Sequence, residues 1–158
     1  MSADEDIDDA ESAKVAYALG KAAVASFKSS LDDVTNIFNE VEAQCLRLVS
    51  SEKRRLEVRR RAAEWKIRLF CDRDADVTQV RKLREEIRVL GYSNIESEAS
   101  TEIYVAQYYL RQGDRQRAKG ILEPLQKKLE FGLNHAEGEE LVCFLRYMDA
   151  CENFLARC

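Results

Sequence analysis

VAYALGKAAVASFKSSLDDVTNIFNEVEAQCLRL, residues 15–48, carries Val15, Leu19, Ala23, Phe27, Leu31, Val34, Phe38, Val41, Cys45 and Leu48 at spacings of three or four. That spacing gathers the apolar side chains along one stripe of a helix, where a strand would need alternation. Gly20 and the pair Ser29–Ser30 weaken the stripe, and Ser30 with Asp33 can cap a second helix, so the stretch reads as one long helix or two consecutive ones.

Upstream, residues 1–9 carry Asp4, Glu5, Asp6, Asp8 and Asp9 with Ile7 as the one sizeable apolar group. Too little can be buried there to offset the entropy of ordering, and a mobile acidic tail is expected. Downstream the stripe fails. Its continuation would put Glu52, Arg55 and Arg59 on the seam, and apolar periodicity resumes at Val58, Ala62, Trp65 and Leu69. Either the helix continues with its buried face rotated or it breaks at Ser50–Ser51. Residues 72–76 read as a polar turn, and Val77, Val80, Leu83, Ile87 and Leu90 form a helix that Gly91 ends.

Residues 93–97 read as a loop. Three further helices are expected at about 98–112, 115–130 and 137–157, joined by Gly113–Asp114 and by residues 132–138. In the last of them Leu141, Phe144, Leu145, Met148, Cys151 and Leu155 share a face that Val142, Tyr147 and Phe154 widen. A girdle that broad belongs to a central helix or to one with a second, exposed apolar surface. The expected fold is therefore all-α, a helical bundle in a single domain over residues 10–158.

Composition agrees. The chain has 158 residues, 46% of them hydrophobic, with one proline and six glycines, enough apolar matter for one core and few breakers of helix. No apolar run approaches the roughly 18 residues that span a bilayer, and the acidic start is unlike a secretory signal, so a cytoplasmic location without membrane contact is expected. Cys45, Cys71, Cys143, Cys151 and Cys158 are odd in number and widely spaced, and His135 is the one histidine. Free thiols, and neither metal nor cofactor, are the expectation.

Between residues 98 and 130 the positions Glu102, Val105, Ala106, Tyr109, Ala118, Leu122 and Glu130 fall at the spacing of a large, an apolar, a small and an aromatic residue, then small, bulky and a final place. Ala106 and Ala118 are small where two helices would cross, and Tyr109 and Leu122 fill the space around them. The segment resembles a tetratricopeptide repeat. It departs from that pattern at Glu102 and Glu130, and Pro124 sits inside the second helix. The resemblance covers one copy. It implies a peptide-binding groove lined by the first helix, where Tyr104, Gln107 and Arg111 share a face; the same three could equally face solvent or a neighbouring helix.

Catalytic patterns are absent: no G-x-S-x-G, no phosphate-cradling glycine loop and no H-E-x-x-H occurs. His135 and Glu139 stand four apart, which suits a base and its orienter, but acidic groups at a helix start serve the helix dipole as readily. No catalytic residue and no small-molecule substrate is assigned.

Charge is unevenly placed. Residues 1–46 hold three basic and ten acidic groups, residues 47–88 fourteen and eight, and residues 89–158 eight and eleven. Arg47, Arg54, Arg61 and Arg68 recur at heptad intervals. Arg54, Arg55, Arg59, Arg60 and Arg61 are expected to be exposed and to meet an acidic protein surface, with the acidic tail competing. A merely solvated face, with Glu52, Glu57 and Glu64 interspersed, is the plainer reading. The acidic whole and the lone Trp65 in the basic run argue against nucleic acid. Together these features suggest a non-enzymatic adaptor or chaperone-like protein that binds another protein. A structural homo-oligomer, such as a homodimer built on residues 10–70, is the alternative, and a nucleic-acid-associated regulator comes third.

Overall fold

The computed structural model describes residues 3–27 and 29–158, with side chains from Ala10 onward. It is all-α: seven helices and, among the described residues, no strand. They are α1 (Ala3–Ser26), α2 (Leu31–Leu48), α3 (Glu52–Asp72), α4 (Val77–Leu90), α5 (Ile95–Arg111), α6 (Arg115–Leu133) and α7 (Gly138–Leu155). Of the acidic segment expected to be mobile, residues 1 and 2 lie outside the described residues, and the backbone of residues 3–9 forms the first turns of α1. The chain divides into two compact units, Met1–Phe70 with Ala75–Gly91, and Cys71–Asp74 with Tyr92–Cys158.

In the first unit, serines decide where helices stop and start. Near the end of α1, Ser26 and Ser29 each turn a hydroxyl back onto the carbonyl four residues earlier, at 2.7 Å, the local bonding that competes with helix continuation. Ser30 then accepts the Asp33 N–H at 3.2 Å and caps α2, whose first turn carries Asp32 and Asp33. The long stripe is thus two helices. They fold back on each other, and the hairpin is closed at its open end where Ser50 donates to Glu11 at 3.2 Å and Arg54 donates to Ser12. A second break follows at Ser50–Ser51, because Ser51 accepts the Arg54 N–H and starts α3.

The expected stripe holds at five members and fails at two. Val15, Leu19, Val34, Phe38 and Cys45 are buried, whereas Phe27 is 77% and Leu48 48% exposed. Ala22 and Val49 are buried in their stead. Phe27 lies just past the end of α1 and Leu48 closes α2, so both misses fall at helix ends, while the count stays in phase across the break at Val34, Phe38 and Cys45. Asp76 caps α4 by accepting the Thr78 N–H at 2.8 Å. Gly91, at φ +77°, ends it with its N–H on the Ile87 carbonyl at 2.8 Å.

The second unit is a three-helix arrangement in which α6 packs on both α5 and α7, and α5 also touches α7. Asn94 accepts the Ser97 N–H at 2.8 Å and starts α5 at Ile95, so helix replaces much of the expected loop at 93–97. Gly113, at φ +81°, turns the chain, and Asp114 caps α6 through the Arg117 N–H at 3.1 Å. Pro124 lies within α6 on its exposed side. The carbonyl it leaves without a helical donor is that of exposed Gly120, where water can serve it. Val105, Ala106, Tyr109, Ala118 and Leu122, the five inner positions of the repeat-like segment, are all buried, as is Glu102, while Glu130 is exposed.

Candidate partner-binding site

The apolar face of α7 is divided between two surroundings. Phe144, Met148 and Cys151 are buried, but Val142 is 59% and Leu145 52% exposed, so α7 carries the second apolar surface that its composition suggested. Beside it, the first turn of α5, the end of α6 and the first half of α7 enclose an open cleft of about 350 Å³. Ile95, Leu129, Cys143, Phe144 and Tyr147 supply its apolar lining, and Asn94, Glu96, Glu139 and Glu140 its polar one. A shallower groove of about 520 Å³ shares Ile95 and Phe144 and adds Glu98, Lys127, Lys128 and Phe131. Phe131 is 70% exposed, with the His135 ring tilted against it at 5.0 Å.

Local rules put the acids there. Glu96 lies in the first turn of α5, and Glu139 and Glu140 in the first turn of α7, where carboxylates are favoured by the helix dipole. In the neighbouring groove Lys128 pairs with Glu98. The cleft is thus an apolar floor bordered on one side by carboxylates and at the far groove by Lys127 and Lys128.

The three α5 residues expected to line a groove are differently employed. Arg111 reaches residues 71–74: its Nη2 donates to the Cys71 carbonyl at 2.7 Å and its Nε pairs with Asp74 at 3.4 Å. Gln112 donates to the same Asp74 carboxylate at 3.4 Å. Arg111 therefore acts as a tether. Tyr104 and Gln107 are half-buried on α5, and none of the three lines the cleft.

The basic run on α3 is corrected in the same way. Arg59 and Arg61 are exposed as expected, the latter 3.9 Å from Glu57. Arg54, Arg55 and Arg60 are half-buried and used by the fold. Arg54 holds Ser12 of α1, Arg55 donates to the Leu46 carbonyl of α2 at 2.8 Å, and Arg60 donates to the Leu90 carbonyl of α4 at 3.1 Å. Long side chains on a helix between others find unsatisfied carbonyls at helix ends, and a count of charges cannot see those ends.

All five cysteines are free thiols. Burial pushes Cys71 up to about 12 and Cys151 to about 11, and raises Cys45 as well, which keeps these three as thiols at neutral pH. His135 is exposed, with Glu139 in the first turn of α7. Among the described residues no helix is long and apolar enough to cross a membrane. Compared with protein-family profiles, curated proteins and solved structures, the chain finds no match in any of the three.

Proposed function

We propose that the chain is a non-enzymatic, adaptor or chaperone-like protein that takes a short segment of another protein into the cleft beside α7. The observation that carries this reading is the open apolar floor of Ile95, Leu129, Phe144 and Tyr147 next to Glu96, Glu139 and Glu140. Apolar surface in a concave setting, left partly open here by Ile95, Cys143 and Tyr147 above buried Leu129 and Phe144, is what a partner's anchors require, and the carboxylates select basic flanks on that partner. Support for a repeat-like role comes from the α5–α6 hairpin with its buried alanines and from the third helix packed on both its members. The groove on α5 through Tyr104, Gln107 and Arg111 has less to recommend it, because Arg111 already holds Cys71 and Asp74.

The test uses two labelled helical peptides with the same Phe and Leu anchors, one flanked by Lys and Arg, the other by Asp and Glu. Fluorescence anisotropy should show the basic peptide binding the full chain more tightly. Glu96→Lys with Glu140→Lys should reverse the preference, and Ile95→Ala should weaken both. Equal binding of the two peptides by the parent and by the charge-reversed variant would remove the cleft as the site.

A further inference from the structure

Helix α1 is apolar on two opposite faces. Val15, Leu19, Ala22 and Ser26 are buried on the side of α2. On the other side Ala10, Ala13, Tyr17, Gly20 and Val24, with Phe27 in the turn just past the helix end, follow at alternating spacings of three and four, the a/d pattern of a coiled-coil seam. This outer seam is bare: Tyr17 is 70%, Val24 78% and Phe27 77% exposed. A helix apolar on both faces ordinarily has something packed on each.

What fits the outer seam can be read from the order of its residues. Written from one end it is small, small, large, small, large, large. Turned end for end and laid against itself, it sets Phe27 opposite Ala10, Val24 opposite Ala13 and Tyr17 opposite Gly20, a bulky group facing a small one at every level. Laid parallel, it would stack Tyr17 on Tyr17 and Phe27 on Phe27 and leave gaps at the alanines. Gly20 supplies independent support. It lies inside a helix with no positive φ, and a Cβ there would meet nothing within 4 Å. Nothing among the described residues therefore calls for glycine, which weakens a helix relative to alanine, whereas the ring of an opposing Tyr17 would need that space.

We propose that a second copy of this chain docks antiparallel on the outer face of α1, with the two-fold axis passing between Tyr17 and Gly20. The matching is self-complementary, as a two-fold interface must be. The seam is about 26 Å long, one helix pair, so the dimer is of moderate affinity. Lys14 and Lys21 line one edge of the seam, Lys21 lying 5.6 Å over the Tyr17 ring. Across an antiparallel pair that edge meets itself, so the like charges oppose association and added salt relieves them.

Sedimentation of the full chain over a concentration series tests this. A dimer is expected, tighter at high salt. Gly20→Leu should weaken it at least about tenfold with helix content by circular dichroism retained, since a Cβ at this position meets nothing among the described residues and leucine favours helix over glycine. Adding Tyr17→Ala to Gly20→Leu exchanges large and small and should restore association. A monomeric mass throughout, a dimer indifferent to Gly20→Leu, a double variant no better than the single one, or association weakened by salt would each overturn the proposal.

Discussion

Gly132 of α6 lies so close to the ring of Phe144 on α7 that a methyl group at position 132 would overlap it. The contact brings the two helices together just beyond the cleft, and Phe144 lines both the cleft and the adjoining groove. Gly132→Ala should therefore lower stability by about 1–3 kcal/mol, the usual cost of overpacking. Urea denaturation measures it. Phe144→Leu added to Gly132→Ala should recover part of the loss, and if Gly132→Ala is neutral, the close approach is not what holds α6 to α7.

Arg60 offers a second check on the first unit. Its Nε donates to the Leu90 carbonyl and its guanidinium packs against Gly91, where a Cβ would lie 3.2 Å from Nη2. Arg60→Ala removes a charged donor from the end of α4 and should cost on the order of 1–2 kcal/mol. Exposed Arg59 provides the control, with Arg59→Ala expected within about 0.5 kcal/mol of the parent. Equal effects at the two positions would return Arg60 to the solvated face that the sequence suggested.

Glu64 makes stability depend on pH. It is 8% exposed, and its Oε1 is buried without a hydrogen-bond partner. Burial raises its carboxyl above the ordinary 4.5, although the field of Arg68 pulls the other way. A raised value means that the contribution is favourable below the ordinary value and is lost as pH rises through the folded one, leaving a buried charge as a cost at neutrality. Glu64→Gln should then be more stable than the parent at pH 7 by on the order of 1 kcal/mol, and the advantage should disappear below pH 4.5. Thermal melts at the two pH values decide it, and a less stable variant at pH 7 would show that its arginine neighbours outweigh burial.

Thiol labelling reads the core directly. Cys143 and Cys158 are half-exposed, while Cys45, Cys71 and Cys151 are buried with raised values. An aromatic disulfide reagent at mildly alkaline pH should modify two thiols quickly and the other three only when denaturant opens the fold. Five fast thiols would contradict the packing around Cys45, Cys71 and Cys151.

Much of the fold was legible because its signals are local. Ser30, Asp76, Gly91 and Gly113 sit where a cap or a turn needs their chemistry, and reading them requires only a few neighbouring residues. The five inner positions of the α5–α6 hairpin were legible for the same reason. The start of α5 was missed by three residues, though Asn94 before an acidic first turn is itself a capping signal that could have found it. With Ile95 assigned to a loop, the lining of the cleft could not be assembled.

The sequence by itself determined the helical class, most helix ends and the inner core, since helix periodicity and capping depend on residues within a few turns of one another. Only the tertiary structure decided which charged and apolar side chains remain available to a partner. Arg54, Arg55, Arg60 and Arg111 look alike in sequence to Arg59 and Arg61, yet the first four reach backbone carbonyls or a hydroxyl beyond their own helix turn, whereas Arg59 and Arg61 are exposed. Val24 and Phe27 read as apolar as Val15 and Leu19, yet lie opposite the face that α2 covers. Periodicity says that a residue belongs to a face. What covers that face depends on contacts between residues far apart along the chain, and these exist only once the helices have packed.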